Sequence, residues 1–258
     1  MNLKHLLVDI QNNIGTITIN RPKQRNSMDV DSWEELKSGV RFLNNHKLVR
    51  VIVITGAGRK SFAAGADIEW LKNRKPLDIY GSAVQDVLLE LYRSYKPIIA
   101  AVNGYALGGG CELMTACDFR IASSHAKMGQ PEINLGILPA GGGTQQLTKI
   151  VGLQNAKELV LTGKIIDADE AYRIGLVNEV VEHEFLMDKV YTLASNLANK
   201  PPVALKLAKI SLNESATADL SSGLALEKAL QAVLFGTKDK EEGTEAFYDK
   251  RQPNFVGE

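Results

Sequence analysis

The sequence predicts an α/β core followed by a helical C-terminal region, and the order of its apolar patterns leads to this fold class. Short runs rich in β-branched residues alternate with longer segments of helical periodicity over most of the chain. From about residue 201 onward, helical patterns follow one another with no strand between them. We therefore expect one core domain over residues 1–200, which carries any active site, and a helical region over residues 201–258.

The first elements are a hairpin and a helix. Residues 6–11 and 14–20 flank two asparagines and are rich in β-branched side chains, which predicts two strands joined by a tight turn. Asp29 or Asp31 can cap a helix over residues 30–46, because the apolar residues that follow recur at helical spacing.

The middle of the chain alternates strands and helices. Residues 49–55 form an apolar run that ends at a glycine-rich turn, which is typical of a buried strand. Residues 76–95 have helical periodicity, and a lysine–proline pair then precedes an apolar strand at residues 98–102. The remaining predicted strands are residues 119–122, 126–129 and 176–181, and helices dominate after residue 142.

Composition limits the classes of function. The 258 residues are 45% hydrophobic and 23% charged, and 30 basic side chains balance 30 acidic ones. No global field therefore favours a nucleic acid or an anionic membrane as a partner. Cys111 and Cys117 lack CxxC spacing, and the four histidines are scattered, so neither a disulfide scaffold nor a metal site is expected. No apolar run reaches the ~20 residues of a membrane span. We expect a cytoplasmic protein.

Two glutamates lie in apolar parts of the sequence, where a carboxylate is unusual unless it has a function. Glu112 follows three consecutive glycines, and Glu132 follows a proline, and apolar residues surround both. Carboxylates are seldom buried without a partner or a task. Two carboxyl groups that converge in an apolar cleft suit general acid–base chemistry, because burial and mutual repulsion separate their pKa values.

Three glycine-rich segments lie near strand ends: residues 61–68, 101–113 and 136–147. In each, backbone N–H groups at a helix start can bind an anion, a water or a substrate oxygen. Each also has a structural interpretation, namely a tight strand-to-helix connection, close packing of a strand on a helix, or a helix entry without a ligand. The residues alone leave these alternatives open.

Taken together and in order, the segments resemble the enoyl-CoA hydratase/isomerase (crotonase) family, and the resemblance extends over essentially the whole chain. The matching stretches are FAAGADI (62–68), KPIIAAVNGYALGGGCEL (96–113), GQPE (129–132), GGTQ (142–145), LTG (161–163), AYRIGLV (171–177) and EGTEAF (242–247).

The resemblance implies a crotonase-like spiral of ββα units and a coenzyme A thioester as the ligand. The C-terminal helices are then expected to serve oligomerisation, as a homotrimer or homohexamer, and to close the coenzyme A pocket. No cofactor is implied, since coenzyme A is part of the substrate. By the same resemblance, the backbone N–H groups of Ala66 and Gly109 form the oxyanion hole for the thioester carbonyl.

The resemblance further assigns Glu112 and Glu132 as the catalytic pair of a hydratase of trans-2-enoyl-CoA, a reversible reaction. Glu132 is taken as the proton donor to the α-carbon and Glu112 as the base that orients water, although shared protons make such labels a choice of model. Substrate or coenzyme A contacts are expected at Ala64, Gly65, Asp67, Ile68, Gly108, Ala140, Gly141, Phe247 and Lys250.

The chain departs from the family pattern at two places. Ala140 stands where hydratases commonly have glycine, and Gln146 stands where arginine is common. If the backbone at Ala140 needs a positive φ, alanine is strained there. Two other functions stay open: isomerisation or hydration of a specialised acyl-CoA, and a scaffold role with RNA binding, which the balanced charge disfavours.

Overall fold

The computed structural model describes residues 3–82 and 84–258. The strands are β1 (Leu6–Gln11), β2 (Ile14–Ile19), β3 (Val51–Gly56), β4 (Ser61–Ala63), β5 (Ile98–Val102), β6 (Tyr105–Leu107), β7 (Phe119–Ser123), β8 (Lys127–Gly129), β9 (Ile165–Asp167) and β10 (Glu179–Val181). The helices are α1 (Val30–Asn45), α2 (Ile68–Lys72), α3 (Pro76–Tyr80), α4 (Val84–Tyr92), α5 (Gly109–Thr115), α6 (Gly143–Thr162), α7 (Ala168–Arg173), α8 (Leu186–Ala198), α9 (Pro202–Glu214), α10 (Leu220–Leu234) and α11 (Lys238–Tyr248).

The strands form two sheets that the chain visits alternately. The larger sheet has the order β1-β2-β3-β5-β7-β10, and the smaller one has the order β4-β6-β8-β9. From β3 to α6, three successive units each place one strand in the larger sheet, the next in the smaller sheet, and then one or more helices. The predicted spiral of ββα units with a helical C-terminal region is thus confirmed.

The larger sheet is covered on both faces, which explains its continuous apolar strands. On β3, Ile52 and Ile54 pack into a core with α1, whereas Val51 and Val53 pack into a second core with α8. All six residues of β3 are buried. Asp29, one of the two predicted caps, caps α1, since its side chain accepts a hydrogen bond from the Ser32 amide.

Two local predictions were wrong. The helix expected over residues 76–95 is two helices, α3 and α4, because the Gly81 amide closes α3 onto Leu77 and Ser82 accepts from the Val84 amide. The strand expected over residues 176–181 is only β10, since the Leu176 carbonyl accepts instead from the Arg120 side chain. The short strands β4, β6 and β9 were not predicted.

The C-terminal helices pack beside the spiral through a few polar contacts. The Tyr92 hydroxyl and carbonyl bond to Asn213 of α9, and Lys209 pairs with Asp118 at 2.7 Å. The Arg50 side chain donates to the carbonyl of Phe255 in the tail. Within the described residues, no helix combines the length and apolar character that a membrane crossing requires.

Replacing Asn103 by alanine is expected to destabilise the fold by about 2 to 4 kcal/mol, because two buried backbone groups of Gly56 and the less buried carbonyl of Gly58 lose their partner. The Asn103 amide donates to the carbonyls of Gly56 and Gly58, both at 2.7 Å, and its oxygen accepts from the Gly56 amide. Urea unfolding measures the loss. The exposed Asn199→Ala is the control, and equal stability of the two variants contradicts the assignment.

Candidate active site

Three parallel strands of the smaller sheet deliver the predicted site segments to one place. β4 pairs with β6, and β6 pairs with β8, with Ala63 opposite Ala106 and Leu107 opposite Gly129. Ala66, Gly109 and Glu132 follow shortly after the ends of these strands. Because the carboxyl ends of parallel strands share one edge of the sheet, the three segments leave it side by side.

The three glycines before Glu112 have different roles. Gly108 has φ of +52°, which favours glycine, and its amide donates to the Gly129 carbonyl of β8. Gly109 is the first residue of α5. Gly110 lies against the Ala63 carbonyl so closely that a Cβ cannot fit. The close packing of strand on helix, one of the alternatives that the sequence left open, therefore applies to Gly110. It does not account for Gly109.

Glu112 is held by two backbone amides. It lies in the first turn of α5 and is only 5% exposed. Its Oε1 accepts from the amide of Gly141 at 2.7 Å and from the amide of Gly143 at 2.8 Å. Burial raises its pKa, and these two hydrogen bonds oppose the rise. Among the described residues no donor is paired with Oε2, which leaves that oxygen for a water molecule.

Glu132 lies close to the glycine turn that starts α5. It belongs to the short helical turn after β8, and a Cβ on Gly108 would lie 2.9 Å from its Oε1. Burial, and then the negative charge of Glu112, raise the pKa of Glu132 to about 7. The two carboxyl groups therefore interact, and Glu132 holds its proton far more readily than an ordinary glutamate.

Gln130 is a site residue that the sequence reasoning missed. Its side chain is fully buried. Oriented so that its nitrogen faces acceptors, the amide donates to the two oxygens of Glu132 at 3.1 and 3.2 Å and to the Gly108 carbonyl at 3.3 Å. A Cβ on Gly143 would lie 2.7 Å from the other terminal atom of this side-chain amide, which is the oxygen in this orientation. Gln130 thus lies between the glycine turn at Gly108 and the loop whose amides bind Glu112.

Two backbone amides at the edge of the site have no protein acceptor. Within residues 3–82 and 84–258, neither the Ala66 N–H nor the Gly109 N–H donates a hydrogen bond to another group. Gly65, with φ of +93°, brings its segment against the Leu107 carbonyl, where a Cβ would lie 3.0 Å away. Free amides on adjacent segments can bind one oxyanion between them.

Apolar side chains close the site around the carboxyl groups. Leu88 of α4 is 3% exposed, and its Cδ1 would lie 2.6 Å from a Cβ on Gly141. The Trp33 ring would lie 3.2 Å from a Cβ on Gly109. The sequence reasoning named neither side chain, because both belong to ordinary helical stripes. Low polarity here strengthens each charge interaction in the site.

The other residues predicted to contact the substrate near the active site are Ala64, Gly65, Asp67, Ile68 and Ala140. Asp67 caps α2 by accepting from the amides of Glu69 and Trp70, and Ile68 beside it is 62% exposed. Ala64 and Gly65 lie in the segment that leads to Ala66. Ala140 does not adopt a positive φ, so alanine causes no backbone strain there.

Phe247 and Lys250 lie at the end of α11. The Phe247 ring is 87% exposed, and the Lys250 side chain is exposed as well. Their contribution to a coenzyme A pocket therefore stays a prediction.

The chain is similar to known proteins over nearly its whole length. The family model for enoyl-CoA hydratase/isomerase matches residues 9–258. A crotonyl-CoA hydratase of Syntrophomonas wolfei is 42% identical over 258 residues, covering 99% of each chain. A short-chain-enoyl-CoA hydratase of Clostridium acetobutylicum is 42% identical over 254 residues, covering 98% of this chain and 97% of the relative.

A solved structure is similar over the same length. The crystal structure of an enoyl-CoA hydratase from Bacillus anthracis superimposes with a TM-score of 0.96 at 38% identity. The superposition covers 99% of this chain and 100% of that one. The chain belongs to the enoyl-CoA hydratase/isomerase family.

Proposed function

We propose that the protein is an enoyl-CoA hydratase that adds water reversibly across the double bond of a trans-2-enoyl-CoA to give (3S)-3-hydroxyacyl-CoA. The observation that carries this proposal is the pair of carboxyl groups of the buried Glu112 and the half-buried Glu132, near two amides that have no acceptor among the described residues. The names of the similar proteins support a short-chain thioester as the substrate class.

The thioester carbonyl binds between the amides of Ala66 and Gly109. As oxygen adds to the β-carbon, negative charge moves through the conjugated system onto the carbonyl oxygen, and an enolate develops. Fixed N–H donors stabilise this charge without reorganisation, and one such donor contributes about 3 to 4 kcal/mol to the transition state.

The two carboxyl groups divide the protons of the added water. Glu112 has Oε1 saturated by two amides, so Oε2 accepts a proton from the water that attacks the β-carbon. Glu132, with its pKa near 7, keeps a proton that it delivers to the α-carbon. After one turnover the pair again holds a single proton, because water supplied both hydrogens of the product.

The reaction requires no redox group, because addition of water leaves the overall oxidation state of the acyl chain unchanged. Coenzyme A enters as part of the substrate. Assembly as a homotrimer or homohexamer is part of the proposal. Large apolar side chains of the C-terminal helices support it, since they are too exposed for an isolated chain. They include Leu212 at 71%, Leu220 at 78%, Phe235 at 62% and Phe247 at 87% exposure.

A pair of substrates tests the proposal against isomerisation. Crotonyl-CoA and its isomer with the double bond one position further from the thioester are incubated with the protein, and the products are separated by chromatography. Hydration predicts 3-hydroxybutyryl-CoA from crotonyl-CoA. Turnover of the isomer alone, to crotonyl-CoA and no further, contradicts the hydratase proposal and supports an isomerase.

Activity is expected to fall as the pH rises through about 7. Only the form of the pair that holds one proton is active, and Glu132, whose raised pKa is about 7, loses that proton above this pH. Because the equilibrium constant of hydration does not depend on pH, kcat/KM must fall over the same range in both directions. Initial rates from pH 5 to 9, as an approximate working range, measure the profile. A flat profile in both directions contradicts the assignment of this pKa.

Replacing Gln130 by methionine is expected to raise the pH at which activity falls. The lost amide donor stabilises the ionised form of Glu132, so its removal favours the protonated form and increases the pKa. The pH profile of kcat/KM measures the change, with the exposed Gln154→Met as the control. A uniformly lower rate with an unmoved midpoint indicates a purely structural role and contradicts this prediction.

A further inference from the structure

A cavity lies at the amino ends of β3 and β5, two central strands of the larger sheet. It has a volume of about 310 Å³ and is lined where α1 ends, where β3 and β5 begin, and where α8 passes into α9. The C-terminal tail at Val256 and Gly257 borders it as well. The active-site segments leave the smaller sheet instead, after β4, β6 and β8.

The cavity is lined by uncompensated positive charge. Lys47, Arg50, Lys96 and Lys200 line it, and no aspartate or glutamate of the described part of the chain does. Among the described residues, none of these four cations forms a salt bridge. The chain has a balanced charge overall, so this local excess of cations differs from the rest of the surface.

Backbone carbonyls hold two of the cations in place without neutralising them. The Lys96 ammonium donates to the carbonyls of Leu43 and His46 at 2.6 and 2.8 Å. The Arg50 guanidinium donates to the carbonyls of Ala198 and Phe255 at 3.1 and 2.6 Å. An ammonium has three N–H donors and a guanidinium has five, so both groups keep donors for a ligand.

Two further observations favour an anion as the ligand of this cavity. His46 lines the same cavity, and its Nδ1 is buried with no partner among the described residues. Burial lowers the pKa of Lys96 to about 8, and no nearby acid offsets this effect. A bound anion would accept hydrogen bonds and would restore the pKa of the lysine.

We propose that this cavity is a binding site for a phosphate group, either free or carried by a small phosphate ester. Phosphate oxygens accept several charge-assisted hydrogen bonds at once, which matches the spare donors of Arg50 and Lys96. The exposed Lys47 and Lys200 add attraction at the mouth. The proposal does not rest on the reaction at Glu112 and Glu132.

Calorimetric titration with pyrophosphate tests the site. The variant Lys47→Gln/Lys200→Gln removes two exposed cations of the cavity, and Lys149→Gln/Lys157→Gln removes two exposed lysines of α6 as a control of equal charge. We expect saturable binding to the wild type and to the control, and about tenfold weaker binding to the cavity variant. The KM for crotonyl-CoA is expected to be unchanged in the cavity variant.

The outcomes separate the alternatives. Equal affinity in the two double variants, or no saturable binding to the wild type, overturns the proposal. A KM that rises together with the loss of pyrophosphate binding also overturns it, because the probe then occupies the coenzyme A site. Titration with inorganic phosphate and with glycerol phosphate identifies which source of the phosphate group binds more tightly.

Discussion

Replacing either Glu112 or Glu132 by glutamine is expected to lower kcat for crotonyl-CoA by roughly a hundredfold to ten-thousandfold. Glutamine keeps the size and the hydrogen-bonding oxygen of each side chain, so the Gly141 and Gly143 amides can still be satisfied. It can neither accept nor deliver the proton that hydration requires. The KM is expected to change little, because neither carboxyl group is assigned to the coenzyme A part of the substrate.

The two substitutions are expected to act together. Both acids serve one transition state, so the double variant should be little slower than the worse single variant. Glu34→Gln, on the exposed face of α1, is the matched control and is expected to retain full activity. Wild-type kcat in either active-site variant contradicts the proposed mechanism.

Replacing Gly109 by proline is expected to lower kcat by roughly a hundredfold to a thousandfold, because it removes one donor of the oxyanion hole. Proline is tolerated at the first position of a helix, where Gly109 stands, and its ring carbon replaces an amide hydrogen that has no acceptor among the described residues, so the ring also fills the place of the substrate oxygen. The loss therefore falls on the substrate rather than on α5.

Gly109→Ala is the control for this substitution. Both variants place a Cβ 3.2 Å from the Trp33 ring, but alanine keeps the N–H group. The ratio of the two kcat values isolates the amide from the packing change, and circular dichroism verifies that both variants fold. Equal rates of the two variants mean that the Gly109 amide does not stabilise the transition state.

Parts of the site were predictable from the sequence, because burying a carboxylate in apolar surroundings costs free energy and is rare unless the group has a function. Glu112 and Glu132 are carboxylates in apolar surroundings, and the structure places Glu112 beside Gly141 and Gly143 and Glu132 beside Gly108. Gly108 to Gly110 was ambiguous, because one run of glycines serves a turn, a free amide and a close contact at successive positions. No local pattern separates these three roles.

Other parts depend on tertiary structure that local patterns do not contain. Gln130 looks like an ordinary residue before a proline, and only the pairing of β6 with β8 brings it to the Gly108 carbonyl. The strands β4, β6 and β9 have three residues each, which is too short for alternation to be visible. Leu88 was part of a predicted helix, but its position against Gly141 follows from how α4 packs.

The central claim, that Glu112 and Glu132 add water across the double bond, is tested most directly by following the atoms of that water into the product. Crotonyl-CoA is incubated with the protein in deuterated water enriched in heavy oxygen, and the product is analysed by mass spectrometry. The mechanism predicts 3-hydroxybutyryl-CoA with heavy oxygen on the β-carbon and one retained deuterium on the α-carbon, formed by the wild type and by Glu34→Gln, and formed roughly a hundredfold or more slowly by the glutamine variants of Glu112 and Glu132. Recovery of unlabelled crotonyl-CoA as the sole thioester, or an isomer without added oxygen, contradicts it.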